Sequence, residues 1–403
     1  MALSLPQLVR DYAEIDLTRM GVDSRITFTR ASTRTYFDAS GVLRTAAINE
    51  WPLEYDPATG VCLGRAVVPR RTNMTPRSDD ITNAGWTKNG VTATSGFSAP
   101  DGSTTACLIQ GTNTDRAYIR PPIPSDYGSN LNVVQSYTIF VKAAGAGSVI
   151  FYEEYYGWRV VFNPSTGMIT SQALPAGGTA IAVACGNGWY RIGFTLAKTA
   201  IYMVWFLGMG ESYPPGPSSQ SVYAWGAQTE TGEGASPYIP TAATATTRSA
   251  DVATISNIVT IQFSASAGTV FLSLIPKAPL GGGPILSFDS GIDANTLSLF
   301  LTGSVTYRFI SASAGSPQAA VTSSAAVAGA PNKVAFAYAL NDFAISARGA
   351  AAATDTSGAL PVGIARLILG AAVGNVQRAY LPIQKVRYYP RRLSNAELQA
   401  LTA

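Results

Sequence analysis

The chain has 403 residues and a net charge of +4; 47% of its residues are hydrophobic and only 13% are charged, with 38 glycines and 24 prolines. Average soluble domains carry about 25% charged residues, and helical proteins place most of them on exposed faces. This composition therefore favours β structure with many tight turns, and the length predicts two or three domains. The arginine clusters at 70–71 and 391–392 are too short to follow a nucleic-acid backbone, so no nucleic-acid partner is expected.

The sequence contains no histidine, which removes the most common general base and the most common zinc ligand. The three cysteines, Cys62, Cys107 and Cys185, are widely spaced and odd in number, so they predict buried thiols rather than disulfides. We found no phosphate loop, nucleophile elbow or redox pair. No catalytic residue, no metal site and no cofactor is expected.

Membrane insertion and secretion are not expected either. The first twenty residues contain acidic side chains and no apolar core of a signal peptide. The longest strongly apolar run, residues 200–210, is about half of the ~20 residues that a membrane helix needs.

The first 78 residues combine a short helix with β-hairpins. Apolar residues near helical spacing predict a helix within residues 1–25; they are Leu5, Leu8, Val9, Tyr12 and Ile15. Short β runs then alternate with turns such as residues 38–41 and 56–60, in which Asp opens the turn and Gly closes it. We interpret residues 1–78 as one segment.

Residues 79–241 form a second unit with many short strands and Gly, Pro or Asn turns, a pattern typical of a β-sandwich or jelly roll. Residues 163–167 repeat the kind of turn found at 56–60, with Asn in place of the opening Asp. Residues 242–250 lack apolar periodicity and are interpreted as a linker. Residues 251–403 are a third unit in which bulky and small residues alternate, as in residues 334–340. A short helix is predicted at its end. Ser394 and Glu397 are spaced as a capping box at the start of this helix, and Leu393 is expected to pack on Leu398. The predicted fold class is all-β, with two jelly-roll domains.

Several segments resemble fibre and spike proteins of tailed bacteriophages. Residues 26–41, 56–60 and 71–73 are similar in order to the amino-terminal part of such proteins. The middle unit resembles their carbohydrate-binding-module-like domain, through the motifs at 86–88, 99–102, 188–191, 225–228 and 238–241. The last unit, with its ending at 389–398, is similar to laminin-G and concanavalin-like jelly rolls.

This resemblance implies a non-enzymatic virion structural protein, made in the host cytoplasm and assembled as a homotrimer. Residues 1–78 are expected to attach it to the particle. The expected partners are capsid, portal or tail proteins and host cell-surface polysaccharide. One alternative is a head fibre or capsid decoration protein that binds capsid or portal subunits; another, ranked last, is a tailspike that depolymerises glycans.

The densest aromatic cluster is the candidate site for binding a glycan or a protein partner. Sugar recognition uses aromatic faces beside groups that bind hydroxyls. The candidate residues are Tyr152, Glu153, Tyr155, Tyr156 and Trp158, with the last three expected on an exposed face. The competing interpretation is that all of them are core residues, as expected for Trp189 and Trp225. Adjacent glutamates point to opposite faces of a strand, which argues against a glycosidase pair at 153–154.

A turn in the last unit brings Asp289, Asp293 and Asn295 together in sequence. Oxygen ligands of this kind hold calcium in some jelly-roll loops. The spacing differs from that of an EF-hand loop, so an ordinary Asx-type turn is the preferred interpretation.

Overall fold

A computed structural model describes residues 11–122, 133–145, 147–198, 203–277, 282–373 and 380–403. Its strands, in chain order, are β1 (Ala13–Asp16), β2 (Thr27–Thr29), β3 (Arg34–Phe37), β4 (Leu43–Ala46), β5 (Glu54–Tyr55), β6 (Cys62–Val67), β7 (Arg71–Asn73), β8 (Thr87–Asn89), β9 (Val91–Phe97), β10 (Ala106–Gly111), β11 (Tyr118–Arg120), β12 (Val134–Ala143), β13 (Val149–Glu153), β14 (Arg159–Asn163), β15 (Met168–Ala173) and β16 (Thr179–Ala184). They continue with β17 (Trp189–Ala197), β18 (Trp205–Met209), β19 (Ser221–Thr231), β20 (Thr246–Arg248), β21 (Val252–Ile255), β22 (Ala267–Leu274), β23 (Gly283–Asp289), β24 (Thr296–Leu301), β25 (Thr306–Ser313), β26 (Ser316–Ala325), β27 (Asn332–Ala339), β28 (Asp342–Ala347), β29 (Ala353–Asp355), β30 (Arg366–Leu369) and β31 (Leu381–Tyr389). Within these described ranges the helices are a 3₁₀ turn at Ile258–Ile261 and α1 (Asn395–Thr402).

The chain folds as two compact units, each made of discontinuous segments. Unit 1 contains residues 1–29, 63–68 and 251–403; unit 2 contains residues 30–62 and 69–250. Both units are antiparallel β-sandwiches, which confirms the predicted all-β class. Their bounds differ from the predicted ones, because residues 1–78 contribute strands to both units instead of forming a segment of their own.

Unit 2 is the sandwich that carries the aromatic cluster. One sheet has the order β16-β17-β12-β19-β10-β9 and the other β15-β14-β13-β18-β11-β8. Apolar side chains from both sheets meet between them; for example, the rings of Phe151 and Phe194 lie 5.1 Å apart. Trp86 and Trp205 are buried in this core. Trp189 and Trp225 are buried in a separate cluster with Leu43, which confirms that they are core residues.

Unit 1 has a comparable construction. One sheet has the order β29-β28-β27-β22-β31-β6, with β1 also paired to β31, and the other β2-β21-β30-β23-β24-β25-β26. The bulky residues of β27 face the second sheet, where Phe336 stacks on Phe309 at 4.4 Å. Its small residues, Ala335 and Ala337, lie under Leu398 of α1. The predicted alternation of large and small residues in β27 is therefore explained: the large residues fill the sandwich core, and the small ones leave room for the helix on the other face.

The local turn and cap predictions are confirmed. The side chain of Asp38 accepts hydrogen bonds from the N–H groups of Ser40 and Val42, and Asp56 and Asn163 hold their turns in the same way. The closing glycines of these turns have φ of 70 to 74°, a region that glycine adopts without steric cost. The capping box of Ser394 and Glu397 is present at the start of α1.

Two predictions on the amino-terminal segment and the linker were wrong. Ile15 lies in strand β1 opposite Val386 rather than in a helix, because β31 is available to pair with it. Leu5, Leu8 and Val9 lie outside the described residues. In the expected linker, Thr246–Arg248 forms β20, which pairs with Arg71–Asn73. Two β-branched threonines favour this ladder, although three residues are too few to show periodicity.

Candidate functional site

The candidate site is the loop of residues 154–157, here called the tyrosine loop, which joins β13 to β14. The hairpin closes where the N–H of Glu153 donates to the carbonyl of Trp158 at 2.8 Å. Gly157 turns the loop with φ of +72° and lies against Tyr213, whose ring would be 3.0 Å from a Cβ at this position. Glycine is therefore required here both for the backbone conformation and for space.

A buried carboxylate holds the tyrosine loop from below. The two oxygens of Glu153 accept hydrogen bonds from the N–H groups of Tyr155 (2.7 Å) and Tyr156 (2.8 Å). The Glu153 side chain turns back under the loop, and the residue is only 2% exposed. Hydrogen bonds to an ionised acceptor are stronger than neutral ones, so this contact fixes the loop backbone.

The tyrosine loop places aromatic rings in solvent. Tyr155 is 75% exposed and Tyr156 is 44% exposed. Tyr156 stacks on the half-buried ring of Trp158 at 4.4 Å with an interplanar angle of 16°, and Tyr155 meets Tyr156 edge-on at 4.6 Å. Trp158 therefore supports Tyr156, while Tyr155 has the most open ring of the three.

Three residues outside the tyrosine loop complete its surroundings. The hydroxyl of Tyr213 donates to the carbonyl of Glu154 at 2.8 Å. The guanidinium of Arg116 forms a 2.7 Å ion pair with the exposed carboxylate of Glu154. The guanidinium of Arg159 lies over the Tyr213 ring at 5.2 Å and donates to the carbonyl of Gly157. The loop backbone is thus fixed on both sides, while the rings of Tyr155 and Tyr156 face solvent.

Burial changes the pKa of several ionisable groups around the tyrosine loop. Burial raises the pKa of Glu153, against the opposing effect of the two N–H groups that it accepts, and the nearby charge of Glu154 raises it further. Burial also raises the pKa of Tyr152 and of Tyr213, so both phenols stay neutral at physiological pH. The arrangement offers exposed aromatic faces beside one ion pair at the surface.

The structure divides the five predicted site residues into two groups. Tyr155 and Tyr156 are exposed and Trp158 is half-buried, on one loop as expected. Tyr152 and Glu153 are buried, so their side chains do not form part of a binding surface. Tyr152 belongs to the core because it lies in β13, whose five residues are all buried, and it stacks on Phe206 at 5.0 Å. Glu153 is covered because the loop backbone folds over it.

Sequence reasoning did not find Arg116 or Tyr213. Both approach the tyrosine loop from remote positions in the chain, and neither stands in a motif that marks it. Pairing of β13 with β18 and of β18 with β11 brings the flanking segments close to the loop. Only the sheet order could have shown this.

The turn that begins at Asp289 follows the Asx-type interpretation. One Asp289 oxygen accepts from the N–H of Gly291 at 2.7 Å and also from Arg366 at 2.7 Å. Asn295 accepts from the N–H of Ala314, while Asp293 is exposed. Among the described residues, no group of three or more His, Cys, Asp or Glu side chains is placed to hold a metal ion.

The fold and the tyrosine loop define an all-β protein of two sandwich units with an exposed aromatic loop on one of them. No protein-family model matches the chain, and no curated protein matches it. Across the part of the chain that the structure describes, no helix is long and apolar enough to span a membrane.

Parts of the chain are similar to solved structures. One is the CBM40 of the Ruminococcus gnavus IT-sialidase bound to α2,3 sialyllactose, with 22% identity over 36% of this chain and 86% of that one and a TM-score of 0.32. Another is the NanB sialidase from Streptococcus pneumoniae, at 14% identity, 37% and 26% coverage and a TM-score of 0.32. A third is a SAP-like pentraxin from Limulus polyphemus, at 14% identity, 35% and 73% coverage and a TM-score of 0.25. These partial likenesses do not define a function for this chain.

Proposed function

We propose that the protein is a virion structural protein of a tailed bacteriophage, a fibre or spike that binds host-surface polysaccharide through the tyrosine loop. The observation that carries the binding role is the exposure of Tyr155 and Tyr156 on a loop whose backbone is fixed from below by Glu153. The virion context rests on the resemblance of several sequence segments to phage fibre proteins. Assembly as a homotrimer and attachment through residues 1–78 belong to the same proposal.

The physical case for binding rests on exposure combined with rigidity. Large aromatic side chains are usually buried, and an exposed cluster of them marks an interaction surface more often than an isolated exposed residue does. Tyrosine presents a large flat surface at a low cost in conformational entropy. Because the loop is already held in place by Glu153 and Tyr213, little further ordering is needed on binding. Sugar rings, which have apolar faces and polar edges, suit such a surface.

The proposal includes binding without hydrolysis. A glycosidase needs two carboxyl groups that face a bound sugar about 5–9.5 Å apart. At the tyrosine loop, Glu153 is buried with both oxygens bound to backbone N–H groups, and Glu154 is paired with Arg116. Neither carboxylate faces the rings of Tyr155 and Tyr156 as an open acid–base pair. Release of reducing ends from host polysaccharide would instead support the tailspike alternative.

The second candidate is a head fibre or decoration protein, because exposed tyrosines are also enriched where proteins bind proteins. The two candidates differ in the partner that the tyrosine loop contacts. Labelling intact particles with an antibody to this protein and imaging them by electron microscopy separates a tail or spike position from the capsid surface.

The tyrosine loop is tested with a double variant, Tyr155→Ala and Tyr156→Ala. Tyr155 is 75% exposed, whereas Tyr156 is 44% exposed and stacks on Trp158, so we expect the Tm to fall by no more than about 6 °C. Each lost aromatic contact is worth about 0.5–1.5 kcal/mol, so binding to host polysaccharide should weaken roughly tenfold or more. Met168→Ala is the matched control, since Met168 is 62% exposed and lies on β15 of the same sheet.

The readouts are binding of purified protein to host cells and to extracted surface polysaccharide. Unchanged binding of the double variant to both would contradict the role of the tyrosine loop. Loss of incorporation into particles with unchanged cell binding would favour the head-fibre candidate. An equal loss with Met168→Ala would show that the effect is not specific to the aromatic rings.

A further inference from the structure

The turn that leads into β8 directs several backbone carbonyls at one point, and the ammonium group of Lys88 occupies that point. The Lys88 nitrogen lies 2.8 Å from the carbonyl oxygen of Asn83 and 3.1 Å from that of Trp86. It lies 3.3 Å from the carbonyl oxygens of both Ile81 and Thr82. We call these four oxygens the carbonyl ring. A lysine ammonium has three protons, so the four oxygens share its donors.

Consecutive turns create this convergence. The N–H of Asn83 donates to the carbonyl of Asp80, and the N–H of Trp86 donates to the carbonyl of Asn83. The Asn83 side chain also accepts from the N–H of Gly85 at 3.0 Å. The chain therefore curls around a centre toward which its carbonyl oxygens point. Negative ends of dipoles that face one another repel unless a cation lies between them.

Rings of backbone carbonyls are known as cation sites, since in potassium channels they replace the hydration shell of the ion. The 2.8–3.3 Å distances around the Lys88 nitrogen exceed the 2.3–2.6 Å of calcium–oxygen contacts. Such distances are ordinary for N–H···O bonds and reflect the ammonium that is present. The four ligands are neutral carbonyl oxygens, as in potassium-channel filters, so a singly charged ion is the natural replacement for the ammonium.

We propose that the carbonyl ring is a monovalent cation site that the chain fills with its own Lys88, and that removal of this side chain leaves a potassium site. Lys88 then does for the turn what a structural metal ion does in other proteins. Burial lowers the pKa of Lys88, while the charge of Asp80 opposes this shift.

The Lys88 ammonium is linked to the hydrophobic core of unit 2 through Trp86, whose carbonyl it binds. This residue is 2% exposed, its ring lies 6.0 Å from that of Trp205, and its indole N–H donates to the carbonyl of Arg77. Since the Trp86 carbonyl belongs to the carbonyl ring, opening of the ring would loosen the anchor of this tryptophan. This inference does not depend on the proposed function, because the carbonyl ring and the tyrosine loop are made of different residues.

The test uses the full chain with Lys88→Ala, which removes the ammonium and leaves space in the carbonyl ring. Charged hydrogen bonds of this kind predict a fall in Tm of about 3–12 °C in potassium-free buffer. Titration with KCl should then recover at least half of this loss, whereas choline chloride at equal ionic strength should not. Lys142→Ala is the matched control, since Lys142 is a half-exposed lysine of β12 in the same unit.

Three results would overturn the proposal: no loss of Tm in Lys88→Ala, equal recovery in potassium and choline, or the same potassium response in Lys142→Ala. Greater recovery in sodium than in potassium would contradict the assigned ion. If the variant does not fold, the wild-type protein provides a second measurement. A hydrogen-bonded ammonium gives a slowly exchanging NMR signal, here with a contact to Trp86, and the absence of that signal would contradict the proposal.

Discussion

Glu153 and Glu154 are neighbours of the same residue type with opposite surroundings, so their alanine variants make a matched pair. Glu153→Ala removes a buried carboxylate that accepts two backbone hydrogen bonds. Glu154→Ala removes an exposed carboxylate paired with Arg116 at 2.7 Å. We expect the first change to destabilise unit 2 and the second to have little effect.

The magnitude follows from the contacts. Hydrogen bonds to a charged group contribute about 1.5–3 kcal/mol each, which sets an upper bound of roughly 3–6 kcal/mol for Glu153. Two effects reduce the loss: water reaches the freed N–H groups of the exposed Tyr155 and Tyr156, and the desolvation cost of the buried carboxylate disappears. We therefore expect about 2–4 kcal/mol for Glu153→Ala. Exposed ion pairs contribute about 0–1 kcal/mol, which bounds Glu154→Ala.

The assay is thermal unfolding followed by circular dichroism and calorimetry at neutral pH. For a unit of this size, 1 kcal/mol corresponds to about 2–4 °C in Tm. Glu153→Ala should lower the Tm of one transition by about 4–16 °C, and Glu154→Ala by less than about 4 °C. Equal shifts for the two variants, or a larger shift for Glu154→Ala, would refute the assigned role of Glu153.

Two further predictions concern pH and backbone space. Burial raises the pKa of Glu153 above its unfolded value, so the stability linked to this group is full below about pH 4 and falls as the pH rises through the raised pKa. The Tm of wild type relative to Glu153→Gln should therefore decline as the pH rises above about 4, and an increase would contradict the direction of the shift. Gly64 and Gly291 have φ of 94° and 93°, but a Cβ at Gly64 would lie 2.2 Å from the Ile383 carbonyl oxygen, whereas no atom lies within 4 Å of a Cβ at Gly291. Gly64→Ala should lower the free energy of unfolding, measured in urea, by about 3 kcal/mol or more, and Gly291→Ala by about 1 kcal/mol. Equal losses would show that the positive φ, and not the steric clash, determines the effect.

Local chemistry made much of the fold predictable. In the turns at Asp38, Asp56 and Asn163, the side chain accepts a hydrogen bond from the backbone N–H two residues further on. All the groups that form such a turn lie within a few residues, so the sequence alone indicates it. The capping box at Ser394 is local in the same sense. The helical spacing around Ile15 did not predict its structure, because the partner that makes it a strand, β31, is remote in sequence.

The candidate site was predictable only in part, for the same reason. The crowding of aromatic residues around Gly157 indicated a loop, and the exposure of Tyr155 and Tyr156 is as expected. The sequence did not show that Tyr152 and Glu153 are buried, because the groups that cover them are Phe206 on a neighbouring strand and the loop backbone that folds over Glu153. Arg116 is brought to the site by the pairing of remote strands, which no motif near Arg116 in the sequence indicates.

The pairing of β1 with β31 sets the order in which the protein can be completed during synthesis. Ala13 lies opposite Tyr388, so the partner of β1 emerges from the ribosome only after about 370 further residues have been made. At about 5–20 residues per second, β1 waits roughly 20 s to more than a minute. Unit 2, whose segments end at residue 250, has its strands available earlier. A product truncated before residue 381 could therefore complete unit 2 but would lack β31, to which β1, β6 and β22 pair.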